Sequence, residues 1–115
     1  MALEPAQLSP ASPPTAGRVF FDRGELHQLL GLYGRMVAAG HWRDYAIDAL
    51  ADAAVFSIFR RAREAPLYRI EKRPALARRQ GAWTIAAHGG LVVRRGRELA
   101  EVLRLFDRAR FAVVR

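Results

Sequence analysis

The chain contains no cysteine, a single lysine (Lys72) among its 115 residues, and only three serines, Ser9, Ser12 and Ser57. The first absence removes disulfide frameworks, thiolate nucleophiles and cysteine-based zinc sites together, and it fits a reducing compartment. Two serines lie near the amino end and the third sits inside an apolar run, so a Ser-His-Asp arrangement has no suitable nucleophile. Long hydrophobic runs are missing as well. Charges interrupt every apolar stretch before it reaches the roughly 20 residues that a membrane-spanning helix requires. Residues 1–17 do not resemble an export signal, because they carry Glu4, no early Lys or Arg, and Pro5, Pro10, Pro13 and Pro14 in place of an apolar core. These absences predict a cytoplasmic protein without membrane contact.

What is present is the composition of one globular domain, 51% hydrophobic and 26% charged. A chain of this length can bury roughly two thirds of its unfolded surface, enough for stability without a disulfide or metal. Residues 1–17 read as a disordered Pro/Ala-rich tail that cannot bury enough apolar surface to offset its ordering entropy. Residues 18–115 read as a single α+β domain: an N-terminal helix, about five antiparallel strands in one sheet, and a C-terminal helix.

The spacing predicts the first helix from Arg23 to about Ala39, with Leu26, Leu29, Leu30, Tyr33, Met36 and Val37 on one buried face. Asp22 and Glu25 form a capping box, Phe21 and Leu26 a hydrophobic staple, and Gly40 a C-terminal stop. Residues Asp44 to Arg63 are open to two readings. Ile47, Leu50, Ala51, Ala54, Val55, Ile58 and Phe59 would also make a helical stripe. The β-branched and aromatic density of Val55 to Phe59 favours two strands instead, about Tyr45–Leu50 and Ala54–Arg61, turning at Ala51–Ala53. Leu67–Lys72 and Ala82–Ala87 read as further strands. Gly89-Gly90, before Leu91, Val92 and Val93, predicts a hairpin with a primed two-residue turn. The closing helix runs from about Arg97 to Arg108, with Leu99, Val102, Leu103 and Phe106 inward. Phe111–Val114 either extend it or form a short strand.

Charge is the most informative feature. Residues 1–59 hold four Arg against six acids, and residues 98–115 four Arg against three, whereas residues 60–97 hold ten Arg and Lys72 against Glu64 and Glu71, a local net of +9. Planar Arg forks bind two phosphate oxygens at once, and a concentrated positive field speeds encounter with polyanions. The candidate nucleic-acid-binding residues are therefore Arg60, Arg61, Arg69, Lys72, Arg73, Arg78, Arg79, Arg94 and Arg95, with Tyr68 and Trp83 as candidate stacking platforms for bases of DNA or RNA. An Arg- and Ala-rich composition is also what a GC-rich coding sequence produces by itself.

Other chemistry finds no support in the residues. His27, His41 and His88 have no second ligand at metal-binding spacing. Asp44, Asp48 and Asp52 lack the Gly-rich loop of a calcium site, and Gly89-Gly90 is a turn and not a phosphate cradle. The expectation is a protein without catalytic residues, cofactor or metal.

Phe21-Asp22-Arg23, the run Leu32 to Gly40, Trp42 to Asp48, Pro66 to Lys72 and Arg78-Arg79-Gln80-Gly81 together resemble the DUF2794 family of uncharacterised alphaproteobacterial proteins. The resemblance spans about residues 19–107 and implies a small bacterial protein with a variable tail; it brings no catalytic residue. Two readings of function follow: a small basic nucleic-acid- or polyanion-binding accessory protein, or a protein-protein adaptor or homodimeric interaction module that presents a sheet face or edge.

Overall fold

The computed structural model describes residues 17–61 and 64–107. Helix α1 spans Arg23–Ala38 and opens on the expected box: Glu25 N donates to Asp22 Oδ1 at 2.8 Å, and Asp22 N donates to Glu25 Oε1 at 2.8 Å. Such a cap contributes about 1 kcal/mol. The buried face agrees with the expected one in part: Leu29 and Met36 are buried and Leu26 and Tyr33 pack partly buried against the core, but Leu32 is buried too, while Leu30 and Val37 are 39% and 40% exposed. Two apolar stripes run side by side on this helix, and only one lies over the core. Tyr33, between Leu30 and Val37 on the second stripe, meets Tyr45 with ring centroids 4.8 Å apart, which places that stripe toward the sheet's outer strand.

Five strands follow: β1 Asp44–Ala49, β2 Ala54–Phe59, β3 Tyr68–Lys72, β4 Trp83–Ala87 and β5 Val92–Gly96. The two-strand reading holds over residues 44–61, with Phe56 and Ile58 on one face of an inner strand and Val55 and Ser57 on the other. The sheet is an antiparallel meander in the order β1-β2-β3-β4-β5. Single 3-10 turns occupy Pro74–Leu76 and His88–Gly90. The second of these is the glycine hairpin, one residue longer than the two-residue turn expected: Ala87 N donates to Leu91 O at 2.7 Å around the loop, and the register shifts between Ile85 and Ala86. Gly89 there has φ +81°. Gly81 precedes β4 at φ +92°, so close to β5 that a Cβ would lie 2.2 Å from the Gly96 carbonyl oxygen.

The C-terminal helix is shorter than expected. Helix α2 spans Leu99–Val102, turns at Leu103, and residues 104–107 are helical again. Leu99, Val102, Leu103 and Phe106 nevertheless all point inward. They join Phe21, Leu29, Leu32, Met36 and Trp42 over Phe56, Ile58, Ile70, Trp83 and Ile85 in one core on one face of the sheet. Full burial of each large apolar side chain contributes roughly 1.5–3 kcal/mol. The tail expected over residues 1–17, apart from Gly17, and the alternatives for Phe111–Val114 lie outside the described residues. Among the described residues no helix is long and apolar enough to cross a membrane.

Candidate functional site

Strand alternation divides the candidate basic residues between faces and ends of the sheet. Lys72 ends β3 on the helix-covered face, where its Nζ donates to Glu25 Oε1 at 2.7 Å and to Phe20 O at 2.9 Å. Both side chains of that pair are 19% exposed, so Lys72 ties the start of α1 to the sheet and has little left for a ligand. Arg94 pairs with Ile85 and lies on the same face, whereas its neighbour Arg95 pairs with Thr84 and lies on the opposite one. Arg78 and Arg79 are exposed beyond the Pro74–Leu76 turn.

The face opposite the helices carries an ion-pair chain. Glu71 is 8% exposed; its Oε1 accepts from Arg73 Nε at 2.9 Å and its Oε2 lies 3.3 Å from Arg69 Nη2. Arg73 reaches on to Asp52 Oδ2 at 3.2 Å. The Glu71 hydrogen bond is the largest reason that the Arg73 guanidinium is held above its ordinary pKa, with smaller contributions from the Glu71 and Asp52 charges against the opposing cost of burial. Arg69 and Arg73 on this side are therefore both paired with carboxylates, so neither guanidinium is free for a phosphate. One candidate is corrected outright: Trp83 is 6% exposed and stacked on Phe21 at 6.1 Å and 9°, so its ring presents no free face to a base.

At the end of the sheet where β2 finishes and β3 begins, the structure gathers a different set. A cleft of about 230 Å³ is lined by Met36, His41, Trp42, Arg60, Leu67, Tyr68 and Phe106. Phe106 sits at its base, met edge-on by Trp42 at 5.0 Å and 87° and by Tyr68 at 4.9 Å and 86°. Arg60 is exposed at the rim, with no carboxylate partner among the described residues. Arg43 N donates to Phe59 O at 2.9 Å, which brings a second exposed guanidinium to the same end. Arg61 follows, joined to Glu64 by an exposed contact of 3.7 Å that contributes little. Of the candidate residues, then, the fold unites Arg60 and Arg61 with Tyr68. It adds Trp42, together with His41 and Phe106, which the sequence marks only as a histidine without a second ligand and an inward-facing core residue. Trp42 beside an Arg just ahead of a strand was a usable signal; Phe106 reads as plain core.

A larger groove of about 330 Å³ runs between α1 and the last described turn, with His27, Gln28, Arg35, Arg104 and Asp107 among its lining. Its walls mix both charges without a buried polar group, so the aromatic cleft is the stronger candidate despite its smaller volume.

A family model described as "Protein of unknown function (DUF2794)" matches residues 19–103. The chain belongs to that family. No curated protein and no solved structure matches it. The DUF2794 match takes in α1, all five strands and α2, and so includes every cleft residue except Phe106. Among the described residues of this DUF2794 chain, no three His, Asp or Glu side chains are grouped so as to hold a metal ion.

Proposed function

We propose that the chain is a non-catalytic module that binds single-stranded nucleic acid through the cleft at the β2–β3 end of the sheet. The observation that carries this reading is the juxtaposition of Arg60 with the half-buried ring of Tyr68 in a cleft walled by Trp42 and Phe106. At about 230 Å³ the cleft falls below the roughly 300 Å³ at which small-molecule pockets begin, which suits one flat ring and not a whole nucleotide. A base inserted against Tyr68 leaves its phosphates outside, where Arg60, Arg43 and Arg61 supply positive charge and His41 a further donor. Stacking contributes about 1–3 kcal/mol per base and tolerates any sequence, because every base has a π face. A duplex keeps its bases stacked and offers none to the cleft.

The test is titration of labelled single-stranded and duplex oligonucleotides at two salt concentrations, with the full chain and with Arg60→Glu. The reading expects single-strand binding that weakens steeply with salt and is largely lost in Arg60→Glu. Absence of binding at low salt, or equal affinity in the variant, overturns it.

A further inference from the structure

In an antiparallel ladder, successive residues alternately turn both backbone groups toward one neighbour and then away from it. Leu50 N donates at 2.8 Å to Ala53 O, the residue opposite it when the β1–β2 register is continued. Asp44, Ala46 and Asp48 therefore bond β2, and Tyr45, Ile47 and Ala49 turn their N–H and C=O groups out of the sheet. Two of these outward groups are already occupied. Tyr45 N–H donates to Asp44 Oδ1 at 2.8 Å, and Ala49 C=O accepts from Arg18 Nη1 at 2.6 Å. Tyr45 C=O, Ile47 N–H, Ile47 C=O and Ala49 N–H have no partner among the described residues.

We propose that β1 pairs antiparallel with β1 of a second copy about a two-fold axis at Ile47, joining two five-stranded sheets into one continuous sheet. In this register Ile47 faces Ile47 and Tyr45 faces Ala49, so each free group meets its complement: Ile47 N–H reaches Ile47 C=O in both directions, and Ala49 N–H reaches Tyr45 C=O in both. The occupied groups also coincide. Tyr45 N–H of one copy lies opposite Ala49 C=O of the other, which brings the Asp44 carboxylate of one copy to the Arg18 guanidinium of the other at each end of the ladder. The two neighbouring registers that keep the same faces aligned are penalised. One sets Asp44 opposite Asp48 and the other sets Asp48 opposite Asp48, whereas the Ile47 register sets Asp48 opposite Ala46.

The apolar surface fits the same occupant. Tyr45 and Ile47 are 38% and 45% exposed, and Leu30 and Val37 of α1 lie on the same side of the sheet. Among the described residues α1 reaches β1 with the Tyr33 ring against Tyr45, and five of the strand's six residues remain exposed. The opposite edge, β5, carries adjacent Arg94 and Arg95, whose charges would repel in a self-pairing. Residues 1–16 are a poor substitute for a second copy, since Pro5, Pro10, Pro13 and Pro14 have no N–H to give a ladder.

The test is sedimentation of the full chain over a concentration series, with amide hydrogen exchange on the same samples. A dimer is expected in which the Ile47 and Ala49 amides slow as dimer accumulates. Ile47→Lys places two ammonium groups face to face on the axis; it should raise the dimer dissociation constant at least about tenfold while the unfolding midpoint of the monomer, read at concentrations too low for dimer, stays close to that of the parent chain, because the side chain is exposed there. Three results overturn the proposal: a chain monomeric at every concentration, a dimer indifferent to Ile47→Lys, or an Ile47 amide protected in the monomer and released when residues 108–115 are removed, which would mean that the chain's own end fills the edge.

Discussion

Gly81→Ala should be among the most damaging single substitutions in the domain, and its cost can be built from two separate sources. The backbone at Gly81 has φ +92°, a region that residues with a Cβ enter at roughly 1–3 kcal/mol. The added methyl would also lie 2.2 Å from the Gly96 carbonyl oxygen and 2.8 Å from Arg97 N, against about 3.5 Å for an ordinary contact. Backbone on both sides has to part. That parting loosens the Trp83–Gly96 pairing and the Arg73 N to Ala82 O hydrogen bond of 2.7 Å, each contributing about 1 kcal/mol net. The sum is about 3–5 kcal/mol, a large fraction of the 5–15 kcal/mol typical of a domain. Gly89→Ala is the control, since φ there is +81° but nothing lies within 4 Å of a Cβ; it should cost about 1–2 kcal/mol from conformation alone. Urea unfolding of both variants measures the difference. Equal losses in the two would refute the close approach of the β4 start to the β5 end.

Two further outcomes follow from polar contacts. Glu25→Ala removes one half of the capping box and strands Lys72 in a largely buried position, so it should cost about 2–4 kcal/mol in chemical unfolding, whereas Lys72→Met, which leaves the cap intact, should cost distinctly less; the reverse order would show that the ion pair is idle. The Tyr33 phenol is pushed above its ordinary pKa, first by burial and then by the Asp44 charge and Tyr45. A pKa raised by folding gives stability that is fully present below the unfolded value of about 10 and is lost as pH rises through the folded one. Alkaline unfolding should therefore be less steep in Tyr33→Phe, and a Tyr33 that ionises together with free tyrosine in an absorbance titration would count against this.

Local chemistry was legible and long-range chemistry was not. Asp22 and Glu25 declare the helix start because the reciprocal bonds lie within one turn. The strands of residues 44–61 could be separated from a helix by Val55 to Phe59 alone. The choice between the two stripes of α1 could not be made from spacing, since Leu30 and Val37 are as apolar as Leu29 and Leu32, and only the sheet's width decides which side is covered. The candidate site was divided for the same reason. The guanidinium count marks the basic segment, but whether each group is free depends on register: Arg73, just past β3, is taken up by Glu71 and by Asp52 of the β1–β2 turn, and Lys72 by Glu25 in the first turn of α1. Trp83 looked like a platform because its partner Phe21 precedes α1 and cannot be inferred from neighbours.

The meander order has a kinetic consequence. Every strand pairs with the strand next to it in sequence, so the sheet can grow hairpin by hairpin, each closure spanning a short loop. The helical ends join the sheet only through contacts between residues far apart in sequence, among them Phe21 with Trp83, Glu25 with Lys72 and Trp42 with Phe106. Folding should therefore be fast for a β-rich chain, with docking of the two helical ends as the step that sets its rate.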